Sequence, residues 1–301
     1  MKIATTTSDF SLYTSDALTA SKYIKKAGFK YIDYGFGADF GQKIGFFSND
    51  YDGWLKKIRK YMEKSSVKYV QAHSPMGRPI VQDDEQQALI EGTKLCVKAC
   101  ADLGIENLVV HSGYKEGNAK AETYEQNRDF YLDLLKYAEN FGVNILTENF
   151  NKMFDPNIFW IDNATDLLEL INYVDHPLFH ACYDIGHANL QDMPQHEELA
   201  ILGSHVKAIH VQDNLGDDDF HLAPFFGTTN FDSVMKGLKD IDFKGYFTFE
   251  ACSIPVSGYR RRKFEGSELL LNAPLSVKLK TEALIYEIGK AILEAYNCFE
   301  E

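Results

Sequence analysis

Short apolar, β-rich runs alternate along the chain with longer stretches whose apolar residues recur every three or four positions. The short runs are Ile3–Thr7, Tyr31–Gly35, Tyr69–His73, Leu108–His111, Ile145–Glu148, Phe179–Asp184, Val206–Val211 and Tyr246–Glu250. They predict strands, and the stretches between them predict helices. Between Leu89 and Leu103, for example, Leu95, Ala99 and Leu103 share one face; from Phe130 to Ala138, Leu134 and Leu135 face inward. Gly28, Gly104, Gly142 and Gly203 stand just before a strand, where a helix C-cap is expected. Strand–helix alternation means parallel strands with crossover helices. Eight such units favour an α/β fold closed into a (β/α)8 barrel, the TIM barrel, over an open doubly wound sheet. No GxGxxG or Walker-type loop follows the first strand, which weakens the open sheet further.

No internal repeat, low-complexity tract or linker divides the chain, so residues 1–301 are expected to form one barrel domain with a C-terminal helical extension. That extension runs from about Ser276 to Tyr296, with Leu279, Leu284, Ile288 and Leu293 on one predicted buried face. It packs on the barrel or on a neighbouring copy, so a homo-oligomer stays open. Two stretches exceed a minimal barrel. Ala38–Asp52 is aromatic- and glycine-rich and follows the second strand. Ile254–Ala273 follows the eighth and contains Arg260, Arg261, Arg262 and Lys263. Both belong over the carboxyl ends of the strands.

Composition narrows the class without changing the fold. With 45% hydrophobic and 25% charged residues, the chain reads as an ordinary soluble domain. No apolar run approaches the ~18 residues of a membrane span, and the start MKIATTTSDF lacks a signal-peptide apolar region. The five cysteines, Cys96, Cys100, Cys182, Cys252 and Cys298, form no CxxC pair and are odd in number. Free thiols in a reducing, cytoplasmic compartment are therefore expected, with no membrane association. Net charge is 31 − 44 = −13, which argues against nucleic acid as partner.

The chemistry gathers at strand ends. Strand three ends in Gln71-Ala72-His73, strand four in His111-Ser112, strand five in Glu148-Asn149 and strand six in Asp184-Ile185-Gly186-His187. Strand seven gives His210-Val211-Gln212-Asp213, strand eight ends at Glu250, and Asp219-Phe220-His221 follows in a loop. Active sites of this fold form at the carboxyl face, so these side chains should converge. Of nine histidines, His73, His111, His187, His210 and His221 fall there; His176, His180, His196 and His205 do not. A mixed carboxylate and imidazole set suits a divalent metal: manganese or zinc first, then cobalt, magnesium or iron. The absence of thiolate speaks against a structural zinc.

The order Glu148-Asn149, Asp184-x-x-His187, His210-x-x-Asp213, then Glu250 resembles the xylose isomerase-like TIM barrel superfamily over nearly the whole chain. That superfamily holds sugar (and sugar phosphate) isomerases and epimerases, and also endonuclease IV-type AP endonucleases. By this resemblance Glu148, Asp184, His210 and Glu250 match a shared metal quartet. In the isomerase branch the ion chelates a keto sugar and stabilises the enediolate left by proton loss. Glu148 and Glu250 are then the catalytic acid/base pair, His187 binds a substrate oxygen, and His73 and His111 line the pocket. In the nuclease branch the same resemblance gives three zinc sites, adding His73 and His111 with bridging Glu148, and His187 with Asp219 and His221. The expected function is a metal-dependent isomerase or epimerase of a carbohydrate, with a trinuclear zinc phosphoester hydrolase as the alternative. Charge favours the first. So does an aromatic set, Phe40, Phe46, Phe47, Tyr51 and Trp54, placed to close over a sugar ring. So, loosely, does His221-Leu222-Ala223-Pro224 with Gly227 and Asn230. It resembles a His/Arg-x-x-Pro-Gly-x-Gly stretch of that branch with Phe225 in place of the first glycine. Asp219–His221 favours the second. Arg260–Lys263 reads as a solvated segment or a holder of substrate phosphate.

Overall fold

The computed structural model describes residues 1–81, 83–151, 157–255 and 272–301. Arg260–Lys263, and most of Ile254–Ala273, lie outside the described residues. The strands are β1 (Lys2–Thr6), β2 (Tyr31–Gly35), β3 (Lys68–His73), β4 (Asn107–Val109), β5 (Asn144–Glu148), β6 (Phe179–Asp184), β7 (Val206–Val211) and β8 (Tyr246–Phe249). They form one closed parallel barrel in sequence order, sealed by β1 pairing with β8 from Lys2↔Tyr246 to Thr5↔Phe249. β1, β4 and β8 stop one or two residues short of the expected ends, so His111 and Glu250 sit just beyond the ladder.

The helices are α1 (Ala17–Lys26), α2 (Gly37–Gln42), α3 (Tyr51–Ser65), α4 (Asp84–Leu103), α5 (Lys120–Ala138) and α6 (Ala164–Val174). They continue with α7 (Ile185–Ala188), α8 (Gln195–Leu202), α9 (Phe231–Asp240) and α10 (Leu275–Ala295). Gly104 closes α4 at φ 73°, a left-handed conformation that favours glycine. Side chains alternate in and out of the barrel. Outward Ile145, Phe179, Ile209 and Phe247 join the main core under the helices. Inward Val109, Leu146, Cys182 and Ala208 pack on one another as a separate plug. The polar residues stand one step above that plug, toward the carboxyl end.

Two expectations fail for packing reasons. Leu284 is not on the buried face of α10; it is 46% exposed. The buried face carries Lys278, Glu282, Ile285, Gly289, Ile292 and Leu293. Its polar pair is accommodated because Lys278 Nζ reaches Glu282 Oε2 at 3.0 Å and the Ile254 carbonyl at 3.2 Å, while Thr5 donates to Glu282 at 2.8 Å. The aromatic stretch after β2 is also not a lid. Phe46 is buried against Tyr34, Phe36 and Tyr51, and Trp54 Nε1 donates to the Tyr34 hydroxyl at 3.2 Å. Phe40 and Phe47 pack on each other, and Phe40 also covers Gly92 of α4. These rings fill space between helices and barrel.

Candidate metal centre

Strands β3, β5 and β6 end in His73, Glu148 and Asp184, His210 is the next-to-last residue of β7, His111 stands two residues past β4 and Glu250 follows β8 directly. The β6–β7 register slips between Ala181 and Cys182, which sets Asp184 opposite His210. Asp184 also caps α7, its Oδ1 accepting from the His187 amide at 2.7 Å, so one residue orients the next. Beyond β7, Asp213 and Leu222 bridge in both directions, at 2.8 and 2.7 Å, and return the loop carrying Asp219 and His221 over the barrel. Gly227 lets that loop close, since a Cβ there would lie 2.2 Å from the Asn214 carbonyl. Phe225 has φ 74°, the left-handed backbone that a glycine would take readily.

All nine expected residues are brought together. Ligand atoms of Glu148, Asp184, His210 and Glu250 lie within 4.8 Å of one another, as do those of His73, His111 and Glu148, and of His187, Asp219 and His221. Cys182 makes another close group with Glu148 and His210, but burial pushes its thiol well up and keeps it protonated. A cavity of about 290 Å³ opens onto seven of the nine, all but Asp184 and His210. Its wall includes Ser8, Met76, Phe150, Asn151 and Cys252, and none of the five aromatic residues expected to close over it.

The rings are held in defined directions. Nδ1 of His73 meets the Ser74 carbonyl, that of His187 the Asn149 carbonyl and that of His221 the Glu250 carbonyl, each at 2.8 Å. A carbonyl only accepts, so each Nδ1 carries hydrogen and each Nε2 turns to the cluster. Nε2 of His73 and His111 are 3.1 Å apart, and His111 Nε2 is 3.1 Å from Glu148 Oε2. Nε2 of His221 and His187 lie 3.0 and 3.5 Å from Asp219 Oδ2. His210 is reversed: its Nδ1 lies 2.9 Å from Glu148 Oε1 and 3.6 Å from Glu250 Oε2.

Burial penalises every charge here, and the pairing decides which survive. Burial opposes ionised Glu148, but His210 and His111 hold its carboxyl well below the usual range. Glu250 is likewise lowered against burial by His210 and His221. Burial opposes the charged ring of His187, yet Asp184 and Asp219 raise it to about 10. For Asp184 burial wins over His187 and pushes the carboxyl up to about 6. Its Oδ2 is buried without a hydrogen-bond partner. A buried, unpartnered carboxylate oxygen among inward-facing imidazole nitrogens is the donor set a hard or borderline divalent cation takes, so these residues fit a metal.

Three contributors were not singled out from the sequence. Gln212 donates to Asp219 Oδ1 at 2.7 Å and to Asp184 Oδ1 at 3.3 Å, tying two acids together. Phe150 forms the aromatic wall, backed by Trp160 and by Tyr114. Asp33 lies inside the barrel beneath His210; a carboxylate in the middle of the apolar strand Tyr31–Gly35 was the available signal.

With that geometry in place, residues 21–266 match the family model described as xylose isomerase-like TIM barrel, and the chain belongs to that family. It is similar to an uncharacterized protein of Methanocaldococcus jannaschii, with 28% identity over 65% of this chain and 68% of that one. Fructoselysine 3-epimerase of Escherichia coli O157:H7 is 27% identical over 46% of this chain, and the match spans half of the epimerase. Among solved structures, a D-tagatose 3-epimerase-like protein superposes with TM-score 0.76 at 21% identity, covering 99% of this chain and 98% of that chain. The IolI protein with a bound zinc atom superposes with TM-score 0.74 at 18% identity over all of both chains.

Proposed function

We propose that the protein is a divalent-metal-dependent isomerase or epimerase acting on a sugar or related polyol. The observation that carries this reading is the convergence of Glu148, Asp184, His210 and Glu250 on one point, with Asp184 Oδ2 unpartnered, beneath a cavity near the lower end of ligand-pocket volumes. These four residues would hold the ion, manganese or zinc by the chemistry of the donors. When bound, it would supply Lewis-acid polarisation of a substrate carbonyl and its neighbouring hydroxyl. Glu148 and Glu250, both held ionised, can take and return the proton on the carbon beside that carbonyl. His187, anchored through Nδ1, presents Nε2 toward the cavity to orient a substrate oxygen. Phe150 offers a ring face to the C–H face of a sugar. The epimerase relatives support the substrate class.

The test is solvent-deuterium exchange into keto and aldo sugars by the manganese- or zinc-loaded protein. Exchange at one carbon, lost in Glu250→Gln with metal still bound, is the expected result. Exchange persisting at near-normal rate in that variant removes Glu250 from the acid/base pair. A second reading, a multinuclear zinc phosphoester hydrolase, is favoured by the two adjoining groups, His73–His111–Glu148 and His187–Asp219–His221. Metal content per chain separates the two: about one ion fits the isomerase, and two or three zinc ions fit the hydrolase.

A further inference from the structure

His73, His187 and His221 each have an outer nitrogen fixed on a backbone carbonyl, and His210 does not. Its Nε2 points into the barrel, 2.9 Å from Gln71 Nε2 and 3.5 Å from Asp33 Oδ2. Gln71 Nε2 also donates to Asp33 Oδ2 at 2.8 Å, and the Thr248 hydroxyl approaches Gln71 Oε1 at 3.4 Å. Asp33 and Thr248 are wholly buried and Gln71 is 3% exposed. The ladder is built to place them. A register shift after Ile32 sets Asp33 opposite Gln71, and His210 pairs directly with Thr248. Asp33 Oδ1 is buried with no partner, an unfavourable arrangement that packing alone does not explain.

A backbone carbonyl has one hydrogen-bonding role, whereas an amide beside a carboxylate has two. As the structure stands, the Gln71 amide lies against both Asp33 Oδ2 and His210 Nε2, and Nδ1 of the ring faces Glu148 Oε1. A metal held by Nδ1 needs that lone pair, and the ring hydrogen must then sit on Nε2. The acceptors within reach are the Asp33 carboxylate and, after a half-turn of the amide, Gln71 Oε1. We propose that Asp33 and Gln71 are positioning residues that hold the His210 hydrogen on Nε2 and so leave its Nδ1 lone pair to the metal. The inference rests on the reading of His210 as a metal ligand. It makes His210 the one histidine among these four whose outer nitrogen is held by side chains rather than by a backbone carbonyl.

The experiment uses the full chain with ¹⁵N-histidine, zinc chloride as probe, and His210→Asn to assign the ring signals. In the zinc-loaded wild type, the His210 hydrogen should sit on Nε2. Gln71→Leu and Asp33→Asn should weaken zinc roughly 10- to 100-fold in chelator competition and lose that single tautomer. Gln71→Glu, which keeps an acceptor toward Nε2, should recover most of the affinity. Melting curves without zinc show whether each variant is folded. Wild-type affinity in Gln71→Leu and Asp33→Asn, or a His210 that keeps Nδ1–H in zinc, overturns the proposal and leaves the metal centre standing. A wild-type chain that binds no zinc, manganese or cobalt overturns both.

Discussion

The carboxylates of the centre differ in what they can reach. Glu148 is 2% and Asp184 0% exposed, while Glu250 is 17% exposed; Glu148 and Glu250 line the cavity and Asp184 does not. Glu250 is therefore the better placed to meet a substrate carbon, and Glu148 is engaged by His111 and His210 at 3.1 and 2.9 Å. Glu250→Gln should lower proton exchange about 10²- to 10⁴-fold, the usual worth of a general base. Asp219 and His221 separate the two functional readings. In an Asp219→Asn, His221→Asn double variant, a one-metal isomerase keeps its ion and most of its turnover. A three-zinc enzyme loses an ion per chain, which elemental analysis counts. Asn suits position 221 because His221 already sits at φ 50°, a region asparagine tolerates. Loss of sugar turnover together with the only ion would count against the isomerase.

At the scale of elements, α7 and α8 show how secondary structure sets the acids. Gly186 in α7 lies so close to β7 that an added Cβ would be 2.0 Å from Gln212 Cδ. Gly186→Ala should push Gln212 off Asp184 and Asp219 and cost about 1–3 kcal/mol, read as a lower urea midpoint. An unchanged midpoint with unchanged metal affinity would show that Gln212 ties nothing. On α8, Glu198 accepts from the Tyr183 hydroxyl at 2.8 Å, and burial, partly offset by that bond, raises its carboxyl to about 7. The folded value exceeds the unfolded one, so the stability it contributes is full below about 4.5 and is lost as pH rises through about 7. Glu198→Gln should flatten that fall, gaining on the wild type at pH 8 relative to pH 5; parallel urea midpoints at both would refute it. Strand positions and the convergence of the nine polar side chains were legible, because polar residues closing apolar runs, and the Asp219–His221 pair in the loop after one of them, stand out in one dimension. The face of α10 was not, since Lys278 and Glu282 are buried only because they meet each other and Thr5. Nor were the aromatic residues after β2, whose partners Tyr34 and Gly92 lie on other elements. Gln71 could be seen at its strand end, but its tie to Asp33 exists only once the barrel closes.

For the whole molecule, the question is whether the metal holds the fold or only the site. The barrel closes through eight parallel pairings, and its plug and outer core are apolar. The acids of the mouth meet histidines directly, Asp219 with His221 and Glu148 with His111 and His210. Such a chain has no need of an ion to fold, but it should be stabilised by one through mass action. At free metal near a hundred times Kd the gain is about 2.7 kcal/mol, several degrees in Tm for a chain of this size. Chelator-treated protein should therefore keep its far-ultraviolet circular dichroism and melt several degrees lower, and zinc or manganese should restore the loss. His210→Asn should melt at one temperature with or without metal, because it removes the ligand that closes the quartet. A chelator-treated wild type that melts unchanged would mean these nine side chains form a polar network without a resident ion. A chelator-treated chain that unfolds outright would mean the centre is structural, and both functional readings would then need a site elsewhere.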